Sequence, residues 1–202
     1  EAPADVGDHI LAGIMTRMRR QYPKIRIEMV LMDRYVDLVA EGVDVAVRAG
    51  ELKDSSLIAR NVGIACWVPF ASPDYLKSAP PLATPQALRH HCCLQFTPLG
   101  KEAWTLTASH GSVVVPMSGQ VTVNDVRVVR AMVLAGEGVA LLPRYLCREE
   151  CASGKLVQVL PDWHAKADPI HLVYPRQRFM APKLRVFVDL AVEELRGWLD
   201  AV

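Results

Sequence analysis

Hydrophobic positions change their spacing several times along this chain, and each change predicts an element. Ile10, Leu11, Ile14, Met15 and Met18 form one apolar stripe at helical spacing, with Arg17, Arg19 and Arg20 turned to water. Asp8 is a suitable cap for that helix, which must end before Pro23. Ile25, Ile27, Met29 and Leu31 then alternate with Arg26 and Glu28, the period of a half-buried strand. Val36, Leu38, Val39 and Val43 lie around a short helix stopped by Gly42, since glycine suits the left-handed conformation that ends helices. Val43, Val45, Ala46 and Val47 follow as a nearly unbroken apolar run, the pattern of a parallel strand buried on both faces. In open α/β sheets small molecules are met just beyond the carboxyl ends of strands, where Arg48, Ala49 and Gly50 stand.

The alternation continues. Residues 57–62 and 65–71 read as two extended segments, and the second should cross into another lobe near Trp67 to Ser72, bracketed by Pro69 and Pro73. Short strands are expected over 92–96, 103–107, 112–115 and 120–123. A helix capped by Asn124 or Asp125 runs to Ala135 and stops at Gly136, and a buried strand follows over 138–142. Residues 170–174 provide the return crossing. Pro182 then opens a terminal helix with Leu184, Phe187, Val188, Ala191, Leu195, Trp198 and Leu199 on one face.

Composition narrows the function classes. The 202 residues, 51% of them hydrophobic, suffice for one large domain or two small lobes. A balance of 23 basic against 22 acidic residues gives a net charge of +1, which supplies no field for holding a phosphate backbone. The five cysteines, an odd number without framework spacing, point to a reducing cytoplasm. No apolar run approaches the roughly 18 residues of a membrane span, so no membrane partner is expected.

Candidate chemistry is sparse. His90, His91, Cys92 and Cys93 are adjacent, but consecutive residues of an extended segment point to opposite faces and no second C-x-x-C pair joins them. No metal and no cofactor is expected. Cys147 and Cys151 share a helical spacing yet suit core or dimer-adjacent packing. Ser109, His110 and Ser112 lack the G-x-S-x-G elbow of a nucleophile, and Gly136-Glu137-Gly138 lacks the third glycine of a dinucleotide loop. No enzymatic activity is expected.

The run DRYVDLVAEGVDVAVRAGELKDSSLIAR over residues 33–60 is similar to the effector-binding domain of LysR-type bacterial transcriptional regulators. FASPDYL (70–76), TPQALRHHCCL (84–94), VNDVRVVRAMVLAGEGVALLP (123–143), GKLVQVLPDW (154–163) and VYP (173–175) follow in that family's order, so the resemblance covers essentially the whole chain. It implies an α/β, two-lobed periplasmic-binding-protein-like (type 2) fold with a hinge of two crossing strands. The implied lobes are residues 1–68 with 174–202, and residues 69–173; the amino-terminal winged helix-turn-helix domain would lie outside this sequence.

The resemblance also implies a small organic effector, anionic or aromatic, held between the lobes. The matching positions are Pro3, Ala4, Met32, Asp33, Arg48, Ala49, Gly50, Phe96, Thr97, Asn124 and Val126. Helix starts after Pro3 and after Val123 would turn backbone N–H groups toward an anion. Arg48 suits carboxylate recognition and a structural ion pair alike; Thr97 fits a turn as well as a hydroxyl contact, and Asn124 and Asp125 serve first as caps. Family likeness further implies a homodimer, or a tetramer of dimers, in which the helix from Asp8 to Arg20 packs near the partner's helix from Asp125 to Ala135. DNA would be reached only through the missing domain. A transport-type solute-binding protein and an enzyme on the same two-lobed scaffold are the competing readings.

Overall fold

The computed structural model describes residues 1–32, 36–52, 56–118, 120–176 and 179–199, with the backbone alone at positions 8 and 9. Along the chain come α1 (Ala4–Val6), a π-helical turn over Gly7–Leu11, α2 (Ala12–Gln21), β1 (Ala46–Ala49), β2 (Leu57–Ala71) and α3 (Pro73–Ser78). β3 (Cys93–Phe96), β4 (Ala103–Ala108), β5 (Gly111–Pro116), β6 (Val121–Val123), α4 (Val126–Leu134) and β7 (Val139–Pro143) follow. The chain closes with α5 (Arg148–Ala152), β8 (Val157–Gln158), β9 (Lys166–Pro175) and α6 (Pro182–Leu199). Two compact units result, Glu1–Ala65 with Asp168–Val202, and Cys66–Ala167. The chain passes from one to the other along β2 and returns along β9.

In the first unit β1 pairs antiparallel with β9, Arg48 standing opposite His171. Its other edge meets the first residue of the chain. The Glu1 amino group donates to the Val45 carbonyl at 2.9 Å, and the Val47 N–H donates back to Glu1 at 2.9 Å, which is parallel pairing. The apolar run is therefore parallel to one neighbour and antiparallel to the other, and sequence period alone does not separate the two. Ala2 makes a parallel bridge to Leu31, donating to Val30 and accepting from Met32. Residues 25–31 form no strand beyond that bridge, although Ile25, Ile27 and Met29 are half-buried and Arg26 and Glu28 exposed, as their alternation predicts.

The first helix starts at Ala4, four residues before the predicted cap at Asp8, because Pro3 stands in extended conformation at its N-cap. Its fixed φ and missing N–H make it a natural boundary there. Arg17 reaches across to Glu194 of α6 at 2.7 Å, and Ile14 and Met18 are buried along with Val188, Ala191 and Leu195. The helix expected before Gly42 is a single turn. The Asp37 carboxylate accepts from the N–H groups of Val39 and Ala40, and Gly42 reverses the chain at φ +65° before a second turn can form.

β2 is one strand where two segments were expected. Gly63 carries it through at φ +141°, and a Cβ there would stand 2.7 Å from Leu199. Only glycine lets strand and helix approach so closely.

In the second unit β7 lies between β2, antiparallel over Trp67–Phe70, and β3, which is parallel to it; β6 continues the sheet in parallel with β3. β4 and β5 form a separate hairpin. Its inward residues Trp104, Leu106 and Val115 share one core with Leu88, Cys93, Val139 and Leu141. Gly138 lets β7 pass Cys92, whose carbonyl oxygen would lie 2.2 Å from any Cβ at that position.

Candidate functional site

Each unit brings part of the predicted set together. In the first, Glu1–Ala2 lies between residues 30–32 and 45–47, so Pro3, Ala4, Met32 and Arg48 follow the carboxyl ends of three neighbouring extended segments. Pro3 and Ala4 form the junction where the helix begins, with its amide dipoles pointing out of the amino end. Ala49 ends β1 opposite Ile170, and Gly50 turns away at φ +89° while its N–H donates to Pro169 at 2.8 Å. Asp33 lies outside the described residues.

The Arg48 side chain is 10% exposed. Its Nη2 donates to the Val36 carbonyl at 2.5 Å and stands 3.9 Å from Glu1 Oε2, whose own side chain is 5% exposed. The guanidinium thus ties β1 to the turn before Leu38 and to the first residue. Such a buried pair fixes geometry more surely than it adds stability.

In the second unit Phe96 ends β3 beside Val123, which ends β6, so Phe96, Thr97 and Asn124 leave the sheet from adjacent parallel strands. Val126 is the first residue of α4 and is buried. Asp125, rather than Asn124, caps this helix: its Oδ1 accepts from the Arg127 N–H at 2.9 Å. The Arg127 guanidinium grips the same carboxylate at 3.0 and 2.6 Å and holds it below the usual carboxylate range.

Thr97 opens a one-turn helix, Thr97–Leu99, pinned from beneath by Gln95. That glutamine is fully buried, and its Nε2 donates to Lys101 at 2.6 Å and Gly100 at 3.4 Å. Trp67 of β2 stacks on the Phe96 ring, centroids 5.4 Å apart and planes 13° apart. Trp67 and Gln95 were not among the predicted positions. A lone glutamine within the apolar stretch Cys93–Phe96 was a readable sign of a buried tether; nothing in the β2 sequence marks Trp67 as a partner of Phe96.

The thiols and imidazoles near these positions have structural work. His91 is buried, with Nδ1 3.1 Å from the Tyr75 hydroxyl, which also accepts from the Cys92 N–H at 3.1 Å. Burial pushes the Cys93 thiol up to about 12 and raises Cys92, Cys147 and Cys151 as well, so none is poised as a thiolate. Among the described residues no cluster of three or more His, Cys, Asp or Glu could hold a metal ion, and no helix is long and apolar enough to cross a membrane.

Two α/β units joined by paired crossing strands, each with a helix start at the carboxyl ends of parallel segments, define a binding-protein class of architecture. A family model described as the LysR substrate binding domain matches residues 1–196, and the chain belongs to that family. It is 33% identical over 195 residues to the HTH-type transcriptional regulator PtxR of Pseudomonas aeruginosa, covering 96% of this chain and 62% of that protein. It is 34% identical over 189 residues to the regulator CrgA of Neisseria meningitidis, covering 93% of this chain and 63% of CrgA.

Among solved structures, the regulatory domain of AphB from Vibrio vulnificus superposes with a TM-score of 0.83 at 32% identity, covering 95% of each chain. Full-length AphB of Vibrio cholerae gives 0.85 at 33% identity, covering 95% of this chain and 66% of that one. The fold is therefore that of LysR-type regulatory domains, the type 2 periplasmic-binding-protein-like fold. The relatives are transcriptional regulators, not enzymes, and the chain spans less than two thirds of their length.

Proposed function

We propose that this chain is the effector-sensing part of a cytoplasmic LysR-type regulator, taking a small anionic or aromatic metabolite between its two units. Supporting this is the repetition of one arrangement in both units, Pro3 and Ala4 leading into the first helix and Asn124 leading into α4, each beside the ends of parallel segments. Helix amino termini attract anions through their amide dipoles. The effector's contacts are Pro3, Ala4, Met32 and Arg48 to Gly50 from one unit and Phe96, Thr97, Asn124 and Val126 from the other; Asp33, the remaining candidate, lies outside the described residues. The Arg48 contribution is a positive potential from a side chain held in place, since the Val36 carbonyl and Glu1 already occupy Nη2. The Trp67–Phe96 stack favours acids that carry a ring.

Binding shifts a population of arrangements about the two crossing strands. A homodimer, with α2 set near α4 of the partner, passes the change to DNA-binding domains on the amino side, and Val128 of α4 offers an apolar side chain 47% exposed for such a seam. Assembly of such dimers in pairs gives the tetramer. The relatives' names as helix-turn-helix regulators support this DNA-linked role over a transport protein or an enzyme.

A thermal-shift screen of small carboxylates and aromatic acids tests the proposal. A ligand at about 100 times its dissociation constant stabilises the native chain by about 2.7 kcal/mol. The shift should shrink in Thr97→Val and Asn124→Ala while the ligand-free melting temperature stays put. A hit with equal shifts in wild type and both variants would place its site elsewhere.

A further inference from the structure

The proposed contacts leave the ligand's negative charge without a directed donor. Arg48 is the cation among them, and its Nη2 is already taken by the Val36 carbonyl and Glu1. A carboxylate drawn out of water needs hydrogen bonds as well as a favourable potential.

Such a donor stands at the carboxyl end of β7. Pro143, the last residue of that strand, pairs with Trp67 of β2. On the other side β7 runs parallel to β3, Val139 beside Cys93 and Ala140 beside Leu94, and that register continued sets Pro143 beside Thr97. Asn124 follows Val123, the partner of Phe96, at the same level. Trp67, Thr97 and Asn124 thus lie in one row across the sheet, and Arg144 is the next residue out from its middle. Because β2 and β3 flank β7, the stacked Trp67 and Phe96 rings meet across its end, immediately before Arg144.

The two arginines of α4 are committed elsewhere, Arg127 to Asp125 and Arg130 to Glu150. Arg144 is half-buried and its Nε is shut off from solvent, yet among the described residues it has no carboxylate within ion-pair distance and no hydrogen-bond acceptor. An arginine kept for solubility holds its guanidinium in water; enclosing part of one unpaired is costly until an anion restores the bond.

We propose that Arg144 is the carboxylate-binding residue of the second unit, and that the ligand class is an aromatic monocarboxylate whose ring lies along Trp67 and Phe96. This rests on the effector-sensing reading above and narrows it. The planar guanidinium fork matches the two oxygens of a carboxylate, and the stacked rings favour offset contact with a further ring.

Paired probes separate charge from shape. Benzoate, phenylacetate and 3-phenylpropionate each have a neutral primary amide of nearly the same outline, and calorimetric titration of each pair gives an acid-over-amide preference. In the wild type at least one acid should bind about tenfold or more tightly than its amide. Arg144→Gln should abolish that preference by weakening the acid alone, and Arg144→Lys should keep part of it. The ratio is taken within one protein, so a general loss of stability in a variant cancels. Trp67→Leu should weaken acid and amide alike. Acid binding that Thr97→Val weakens but Arg144→Gln leaves unchanged overturns the role of Arg144 while the effector-sensing reading stands. Equal weakening of acid and amide by Arg144→Gln overturns it too, and failure of all the acids to bind the wild type overturns both.

Discussion

At His91 a single proton is coupled to folding. Burial, and secondarily the charge of His90, lowers this imidazole below its ordinary value of 6.5. The Tyr75 hydroxyl, which accepts from the Cys92 N–H, stands 3.1 Å from His91 Nδ1, and the two rings pack together at 5.9 Å in this buried position. A group lowered in the folded state leaves stability intact above its unfolded value and withdraws it as pH falls below 6.5 toward the folded value. Urea unfolding between pH 8 and pH 5 should show that loss, and His91→Gln should flatten it; the same slope in both proteins would remove His91 as its source. The residue scale was only partly legible. Arg48 could be located at a strand end, but its acidic neighbour Glu1 lies 47 positions away, and no local spacing announces such a pair.

Among the elements, α4 shows how one side chain sets a boundary. Asp125 caps the helix and holds Arg127 through two further hydrogen bonds, so Asp125→Ala should cost about 1 kcal/mol or somewhat more in chemical unfolding. An unchanged midpoint would mean that Asn124 takes over the cap. Period and punctuation were enough to place α4, α6 and the β4–β5 hairpin close to where they lie, because apolar faces and glycine or proline stops are local signals. Other boundaries depended on partners distant in sequence. The strand over residues 25–31 is reduced to its bridge at Leu31, since the segment beside it pairs only through Ala2. The first helix begins where Pro3 allows, and the turn at Asp37 ends where its own carboxylate and Gly42 close it.

For the molecule as a whole, the ordered motifs from Asp33 to Pro175 were a better guide than any one of them, because each encodes packing or a turn and only their sequence is distinctive. Strand direction was not legible: β1 runs parallel to Glu1–Ala2 and antiparallel to β9, and a buried apolar run is compatible with both. The effector positions form two groups, one in each unit, and a sensing role requires one ligand to engage both. Hydrogen exchange with and without an acid identified by thermal shift measures that requirement most directly. Joint protection of the amides at Ala4, Met32 and Gly50 and of those at Thr97 and Val126 is the predicted result. Protection confined to one unit, under saturating ligand, would contradict capture between them.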